Sequence, residues 1–132
     1  MTWWQHGVIY QIYPRSFRDS DGDGVGDLAG IVERLDHLAW LGVDAIWITP
    51  IMVSPDTDWG YDVAHYTAVQ PVLGDLAAFD RLVAEAGRRD IRVVLDLVPN
   101  HTSAKHPWFR EARGSRMLPR RDWYVWAGPR PH

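Results

Sequence analysis

The chain has 132 residues, of which 46% are hydrophobic and 23% are charged, and its formal net charge is −3. This length is typical of one domain, and the apolar content excludes an intrinsically disordered protein, which cannot form a core. The chain has no cysteine, which excludes disulfide scaffolds and thiol nucleophiles, and no apolar run reaches the roughly 18 residues of a membrane-spanning helix.

The first half of the chain predicts two strands separated by a helix. The segment Gly7–Pro14 is rich in β-branched and aromatic residues and ends at a proline, which predicts a strand. An apolar stripe at spacings of three and four then predicts a helix that ends at Gly42. The members of this stripe are Leu28, Ile31, Leu35, Leu38 and Leu41. The apolar run Val43–Ile48 predicts a second strand, buried on both faces.

The second half predicts a loop, a helix and a third strand. Pro50–Gly74 is polar and rich in turn residues, so we expect a long loop there. A second helix is predicted over Asp75–Arg89 and a third strand over Ile91–Val98, ending at Pro99. Basic residues are concentrated in this half, but the arginines around the second helix are typical of a solvated helix face. We therefore expect no nucleic-acid partner.

The order of these elements predicts a parallel α/β sheet with right-handed crossovers. The loops after the strands are long and polar, so we expect the functional side at the carboxyl ends of the strands. After Pro99 the aromatic residues follow no clear period, which indicates an irregular subdomain. Because three parallel strands leave two unpaired edges, we expect the front part of a larger protein.

The segment Asp19–Asp27 predicts a cation site. Its aspartates alternate with glycine or serine, and such carboxylates repel one another unless a hard cation binds between them. The segment begins like an EF-hand loop, but its twelfth position is Gly30 instead of glutamate and a strand precedes it, so an EF-hand is excluded. A solvated acidic turn is the alternative. The predicted ligands of a structural Ca²⁺ or Mg²⁺ are Asp19, Asp21, Asp23, the Val25 carbonyl and Asp27.

Two further segments carry candidate binding residues. Trp59–Asp62 places aromatic rings beside a carboxylate, a pair that suits a sugar, although a surface turn with a structural tyrosine is equally consistent. In Asp96–Ser103, a carboxylate that we expect inside the third strand is followed by His101 just beyond the strand end. A buried aspartate requires a partner, so the two side chains indicate a site rather than a structural histidine alone.

Together these segments resemble the α-amylase family of glycoside hydrolases, and most closely its α-glucosidase and oligo-1,6-glucosidase branch. The residues that carry the resemblance are Trp3–Trp4, Tyr10–Phe17, Asp19–Asp27, Gly60–Asp62, Asp96–Ser103, His106–Phe109 and Asp122–Trp126. The resemblance implies that residues 1–98 are the first three βα units of a (β/α)8 TIM barrel. Residues 99–132 would then begin the irregular domain B, and the remainder of the barrel would lie outside this chain.

The resemblance also implies roles for single residues. Asp62 would hold a hydroxyl group of the terminal glucose, Tyr61 would stack on that ring, and His101 would hydrogen-bond the same sugar. Asp96 would organise the charges of the site. The Asp19–Asp27 loop would hold the structural Ca²⁺ or Mg²⁺, and the substrate would be an α-glucoside or malto-oligosaccharide. Because the N-terminus lacks the features of a secretory signal, we expect a cytoplasmic protein without a membrane partner.

The chemistry implied by the resemblance is retaining glycoside hydrolysis, which requires two carboxyl groups about 5–5.5 Å apart. In the family these groups come from later strands, so we expect no catalytic residue in this chain and no activity from the chain alone. The alternatives are a stand-alone module that binds a cation or a sugar, and a half-barrel that requires a partner chain.

Overall fold

A sheet of three parallel strands forms the centre of the computed structural model, which describes residues 2–128. Its strands, in their order across the sheet, are β1 (Ile9–Ile12), β2 (Ala45–Ile48) and β5 (Arg92–Leu95). Ala45 pairs with Ile9 on one side and with Arg92 on the other. The predicted parallel sheet is therefore confirmed, although each strand is shorter than the segment predicted for it.

Two long helices connect these strands. Helix α2 (Leu28–Leu41) begins where the Asp27 side chain accepts a hydrogen bond of 2.6 Å from the Gly30 amide, and it ends at Gly42 in the left-handed conformation. Helix α3 (Leu76–Gly87) begins in the same way at Asp75. The prediction for α2 is confirmed, and α3 ends two residues before the predicted boundary.

The hydrophobic core lies between the sheet and these two helices. Its completely buried side chains include Leu28, Ile31, Leu35 and Leu38 of α2, Ile12, Ile46 and Ile48 of the sheet, and Leu82 and Ala86 of α3. Burying one such leucine or isoleucine contributes about 1.5–3 kcal/mol. The first four residues of the periodic stripe thus form the face of α2 that packs on the sheet, whereas Leu41, the fifth predicted member, lies at the end of the helix and is 49% exposed.

The prediction of a continuous loop over Pro50–Gly74 was wrong. Strand β3 (Met52–Val53) pairs antiparallel with β4 (His65–Val69), and a short 3₁₀ helix follows at Pro71–Leu73. A two-residue strand is too short to show a period, and the pairing depends on residues distant in sequence. This small sheet holds both ends of the loop formed by residues 54–64.

Further differences concern the boundaries and the C-terminal segment. A short helix, α1 (Pro14–Phe17), begins at the proline that was predicted to end a strand, because proline is well suited to the first turn of a helix. Helix α4 (Pro107–Gly114) lies in the segment predicted to be irregular. Its eight residues are too few for a clear periodic signal. Residues 129–132, which belong to the predicted domain B segment, lie outside the described residues.

Strand β5, which precedes Asp96, also ends earlier than predicted. Asp96 was expected inside the third strand, but β5 ends at Leu95. The Asp96 amide still reaches the Ile48 carbonyl oxygen, at 3.4 Å, while Pro99 three residues later has no amide hydrogen with which to extend the ladder. Asp96 therefore begins the loop at the carboxyl edge of the sheet and is half-buried.

Within residues 2–128, no helix has both the length and the apolar character required to cross a bilayer.

Candidate functional site

Three segments emerge at the carboxyl edge of the parallel sheet, because parallel strands all end on the same side. These are residues 13–27 after β1, residues 49–75 after β2, and residues 96–128 after β5. Every residue that the sequence singled out as a ligand for a sugar or a cation lies on one of them.

Tyr61 links two of these segments. Its hydroxyl group donates a hydrogen bond of 2.9 Å to Oδ2 of Asp96, and its carbonyl oxygen lies 3.1 Å from Nε2 of His101. Because a carbonyl oxygen only accepts, the Nε2 atom of His101 carries the hydrogen. Burial, and then the bond to Asp96, raise the pKa of Tyr61, so its hydroxyl group remains a donor at neutral pH. The structure therefore brings three of the four predicted substrate-binding residues into direct contact.

Asp62, the fourth, is enclosed by its own loop. Its Oδ1 accepts a hydrogen bond of 2.6 Å from the Ser54 hydroxyl group and one of 3.1 Å from the Asp58 amide. Its Oδ2 accepts from the Thr57 amide at 3.2 Å. Burial alone would raise the pKa of this carboxyl group, but these hydrogen bonds outweigh it and lower the pKa below its ordinary value. Asp62 is thus an ionised hydrogen-bond acceptor at neutral pH.

The loop that carries Asp62 is anchored by a network that the sequence analysis missed. Ser54, besides donating to Asp62, accepts a hydrogen bond from the Asp56 amide at 2.9 Å. The Asp56 carboxylate in turn pairs with the Arg15 guanidinium at 2.7 Å and with Gln70 Nε2 at 2.8 Å. Arg15 follows β1 and Gln70 follows β4, so the contacts join three separate parts of the chain. No local spacing in the sequence indicates them.

Tyr66 of β4, which the sequence analysis also missed, holds the segment after β5 in place. Its hydroxyl group lies 2.7 Å from the Val98 carbonyl oxygen and 3.0 Å from that of His101. The Ser103 amide donates to the Val63 carbonyl at 2.8 Å. These bonds fix His101 beside the loop of Tyr61 and Asp62. The sequence analysis placed Tyr66 in a loop. Had β4 been predicted as a strand, Tyr66 would have been expected at a fixed position beside the segment after β5.

Three of the four aspartates in the segment Asp19–Asp27 come close together. One carboxylate oxygen from each of Asp19, Asp21 and Asp27 lies within 4.8 Å of the other two. Hydrogen bonds from the Gly22 and Gly24 amides lower the pKa of Asp19, so it remains ionised. Carboxylate oxygens gathered in this way are the donors that hard cations such as Ca²⁺ and Mg²⁺ prefer, so these residues fit the predicted ion.

One member of the predicted ligand set, Asp23, stands apart from this group. Its Oδ1 accepts a hydrogen bond of 2.7 Å from the amide of Val25. The Val25 carbonyl remains a prediction. Asp27 also accepts from the hydroxyl group and the amide of Ser20, which ties the loop to the start of α2.

The fold places the protein among the α/β domains with a parallel sheet, and its candidate site lies at the carboxyl edge, where ligand sites of such domains are usually found. The profile described as "Alpha amylase, catalytic domain" matches residues 11–132. The chain therefore belongs to the α-amylase family of catalytic domains, which confirms the resemblance seen in the sequence and supports the expected barrel fold.

Relatives in this family are named as glycosidases. The chain is 58% identical to the probable alpha-glucosidase of Rhizobium meliloti (strain 1021) and 57% identical to the trehalose-6-phosphate hydrolase of Escherichia coli (strain K12). Each match covers 98% of this chain and 23% of the relative. It is 51% identical to the oligo-1,6-glucosidase of Heyndrickxia coagulans, again over 98% of the chain and 23% of the relative. The chain thus spans less than a quarter of the length of these relatives.

Solved structures agree with this assignment. The alpha-glucosyl transfer enzyme XgtA superimposes with a TM-score of 0.95 at 56% identity, covering 98% of this chain and 24% of that structure. The isomaltulose synthase PALI from Klebsiella sp. LX3 superimposes with a TM-score of 0.94 at 49% identity, covering 96% and 23% respectively.

Proposed function

We propose that this chain is the part of a retaining α-glucosidase-type hydrolase that binds the terminal glucose unit of α-glucosides, including malto-oligosaccharides. Residues 1–98 would be the first three βα units of the barrel, and residues 99–132 would begin domain B. The observation that carries the proposal is the group at the carboxyl edge of the sheet, in which Tyr61 contacts both Asp96 and His101 beside the ionised Asp62.

Each residue of this group has chemistry that suits a glucose ring. Asp62 is an ionised acceptor held by three donors of its own loop, and such a carboxylate binds sugar hydroxyl groups strongly. The Tyr61 ring would cover the apolar face of the sugar, while its hydroxyl group keeps Asp96 in position. His101 would hydrogen-bond the same sugar, exchanging its bond to the Tyr61 carbonyl for one to a hydroxyl group.

Asp62 is unsuited to the role of catalytic acid. A general acid in a glycosidase requires a carboxyl group whose pKa is raised so that it holds a proton, whereas the pKa of Asp62 is lowered. Asp96 accepts a hydrogen bond from Tyr61 and would organise the charges around the sugar. By the pattern of the family, the nucleophile and the acid/base of the proposed reaction would come from later strands of the barrel, outside these 132 residues.

The acidic loop would hold a structural Ca²⁺ or Mg²⁺ through Asp19, Asp21 and Asp27, with Asp23 and the Val25 carbonyl as the remaining predicted ligands. When bound, the ion would neutralise the mutual repulsion of the carboxylates. Because Asp27 also begins α2, the loop and the helix would be stabilised together.

A titration with glucose, followed by NMR spectroscopy of the labelled chain, tests the proposed binding. We expect saturable shifts at Tyr61, Asp62 and His101, and an affinity reduced about tenfold or more in Asp62→Asn, since a hydrogen bond to a charged acceptor contributes about 1.5–3 kcal/mol. The matched control is Asp58→Asn, which neutralises an exposed carboxylate of the same loop. Equal affinity of Asp62→Asn and the parent chain, in variants with the parent melting temperature, would disprove the proposed role.

A further inference from the structure

Gln70 lies between β4 and the 3₁₀ helix at Pro71–Leu73, outside the group of residues proposed to bind the sugar. Its side chain makes no capping hydrogen bond to that helix. Its backbone is held on both sides, because its amide donates to the Ile51 carbonyl at 2.8 Å and its carbonyl accepts from the Leu73 amide at 2.8 Å. The side chain of Gln70 therefore starts from a fixed point beside the small antiparallel sheet.

Both polar atoms of the Gln70 side chain bind the loop formed by residues 54–64. Oε1 accepts a hydrogen bond of 3.3 Å from the Ser54 amide, and Nε2 donates one of 3.0 Å to the Ser54 carbonyl. Nε2 also donates to Oδ2 of Asp56 at 2.8 Å. The reversed amide orientation would place two donors together at the Ser54 amide and an oxygen against two acceptors, so only the observed orientation satisfies all three contacts. Neither a carboxylate nor an apolar side chain offers the same set of donors and acceptor.

The residues that Gln70 binds determine the direction of the Ser54 hydroxyl group. The Asp56 amide donates to Ser54 Oγ at 2.9 Å, and the hydroxyl hydrogen is donated to Oδ1 of Asp62 at 2.6 Å. Ser54 is only 6% exposed, so water has little access to this bond. Asp56 has a φ angle of 57°, in the left-handed region that few residues other than glycine adopt, and its contacts with Gln70 and Arg15 hold it there.

We propose that Gln70 is a positioning residue for the sugar-binding carboxylate of Asp62. It fixes the backbone of residues 54–56 and thereby directs the Ser54 hydroxyl group at Asp62. Among the described residues no hydrogen bond joins Gln70 to Asp62 directly, so its effect passes through Ser54. This inference rests on the proposed function, because Asp62 is the residue that would hold the glucose unit.

Gln70→Met tests the inference, because methionine is of similar length but donates no hydrogen bond. The affinity for glucose is measured by NMR titration, and the pKa of Asp62 is measured without sugar from the carbon-13 shift of its carboxyl group. The affinity falls about tenfold, which corresponds to the loss of one hydrogen bond to a charged group. The pKa of Asp62 rises, because the Ser54 hydrogen bond lowers it in the parent chain. Gln70→Glu, which places a carboxylate oxygen against two acceptors, has both effects at least as strongly.

Three comparisons separate positioning from a general loss of stability. Leu35→Ala weakens the core but leaves the pKa of Asp62 and the glucose affinity of the folded chain unchanged. Gln5→Glu makes the same chemical change at an exposed glutamine before β1, and it changes neither quantity. In the double variant Ser54→Ala with Gln70→Met, the loss of glucose affinity is smaller than the product of the two single losses, because both substitutions act on the same hydrogen bond to Asp62.

The possible failures are distinguishable. If the parent chain binds glucose but Gln70→Met keeps either the affinity or the Asp62 pKa of the parent, or if the two losses multiply in the double variant, the inference is wrong and the proposed function stands. If the parent chain binds no glucose, the proposed function fails, and the Asp62 pKa alone decides: a rise in Gln70→Met supports the positioning of this carboxylate, and an unchanged value overturns it.

The parent chain itself provides a measurement that does not depend on the folding of a variant. Because both Nε2 hydrogens of Gln70 are donated within the protein, they exchange with water more slowly than the side-chain amide hydrogens of the exposed Gln5. NMR exchange spectroscopy compares the two side chains in one sample. Equal exchange rates would overturn the inference even if the Gln70 variants do not fold.

Discussion

Asp27 has two separable roles in this account, as the N-cap of α2 and as a cation ligand, and substitutions at this position test both. In Asp27→Ala, α2 loses a cap, which costs about 0.5–2 kcal/mol. The Ser20 amide and hydroxyl group also lose their acceptor, at about 1 kcal/mol each. Because Asp27 is only 8% exposed, water cannot readily replace the lost hydrogen bonds. We therefore expect the free energy of unfolding to fall by about 2–4 kcal/mol in total. Asp75→Ala, which removes the exposed cap of α3, should cost only about 0.5–2 kcal/mol.

Urea unfolding, with a chelator and then with Ca²⁺ or Mg²⁺, separates the two roles. A cation at 100 times its dissociation constant stabilises the folded chain by about 2.7 kcal/mol, and we expect this increment in the parent chain and in Asp75→Ala. Asp27→Asn keeps one acceptor oxygen for the Gly30 amide, but its NH2 group faces the Ser20 amide and it loses the charge. With chelator its stability should therefore lie between those of the parent chain and Asp27→Ala, and it should gain much less from the cation. The reasoning is refuted if Asp27→Ala costs no more than Asp75→Ala, or if the cation stabilises the Asp27 variants as much as the parent chain.

Three further predictions concern the site and the core. Tyr61→Phe removes the hydrogen-bond donor to Asp96. This variant should have a free energy of unfolding lower by about 1–2 kcal/mol and should bind glucose more weakly. If both quantities are unchanged, the hydrogen bond does not have the proposed role. Burial lowers the pKa of His106 below 6.5, so the unfolded chain binds this proton more readily and stability should fall as the pH decreases below about 6.5. His106→Asn keeps an acceptor for the Trp108 amide but does not titrate in this range. In this variant the free energy of unfolding should depend less on pH below about 6.5, and a dependence identical to that of the parent chain would contradict the role of His106. Leu35→Ala should cost about 2–5 kcal/mol in urea unfolding because Leu35 is fully buried, and a loss below 1 kcal/mol would place it outside the core.

The parts of the fold that local signals encode could be predicted from the sequence. Helix α2 has an aspartate cap, an apolar stripe and a terminal glycine, all within one segment, and its predicted boundaries agree with the structure. The strands β1, β2 and β5 were recognisable as apolar runs. In contrast, β3 contains two residues and pairs with a strand beyond a long loop, so its formation depends on tertiary contacts. Helix α4 is similarly short, and its cap is a histidine, which is an unusual N-cap residue.

The candidate site was predictable in its location but only partly in its contacts. The resemblance implied that Tyr61, His101 and Asp96 serve one sugar site, and the structure joins these three by hydrogen bonds. The donors to Asp62 could not be predicted, since Ser54 approaches it only after the loop has folded back. The positive φ of Asp56 is likewise a property of the folded loop. Hydrogen bonds across a loop leave no periodic signal in the sequence.

The central claim is that these 132 residues bind a glucose unit but lack the carboxyl pair that cleaves the glycosidic bond. The most direct test is the release of nitrophenol from p-nitrophenyl α-glucoside by the purified chain, in a sample whose glucose binding has been demonstrated. The account predicts no release above the buffer rate. Turnover that co-purifies with the chain and disappears in Asp62→Asn would contradict it.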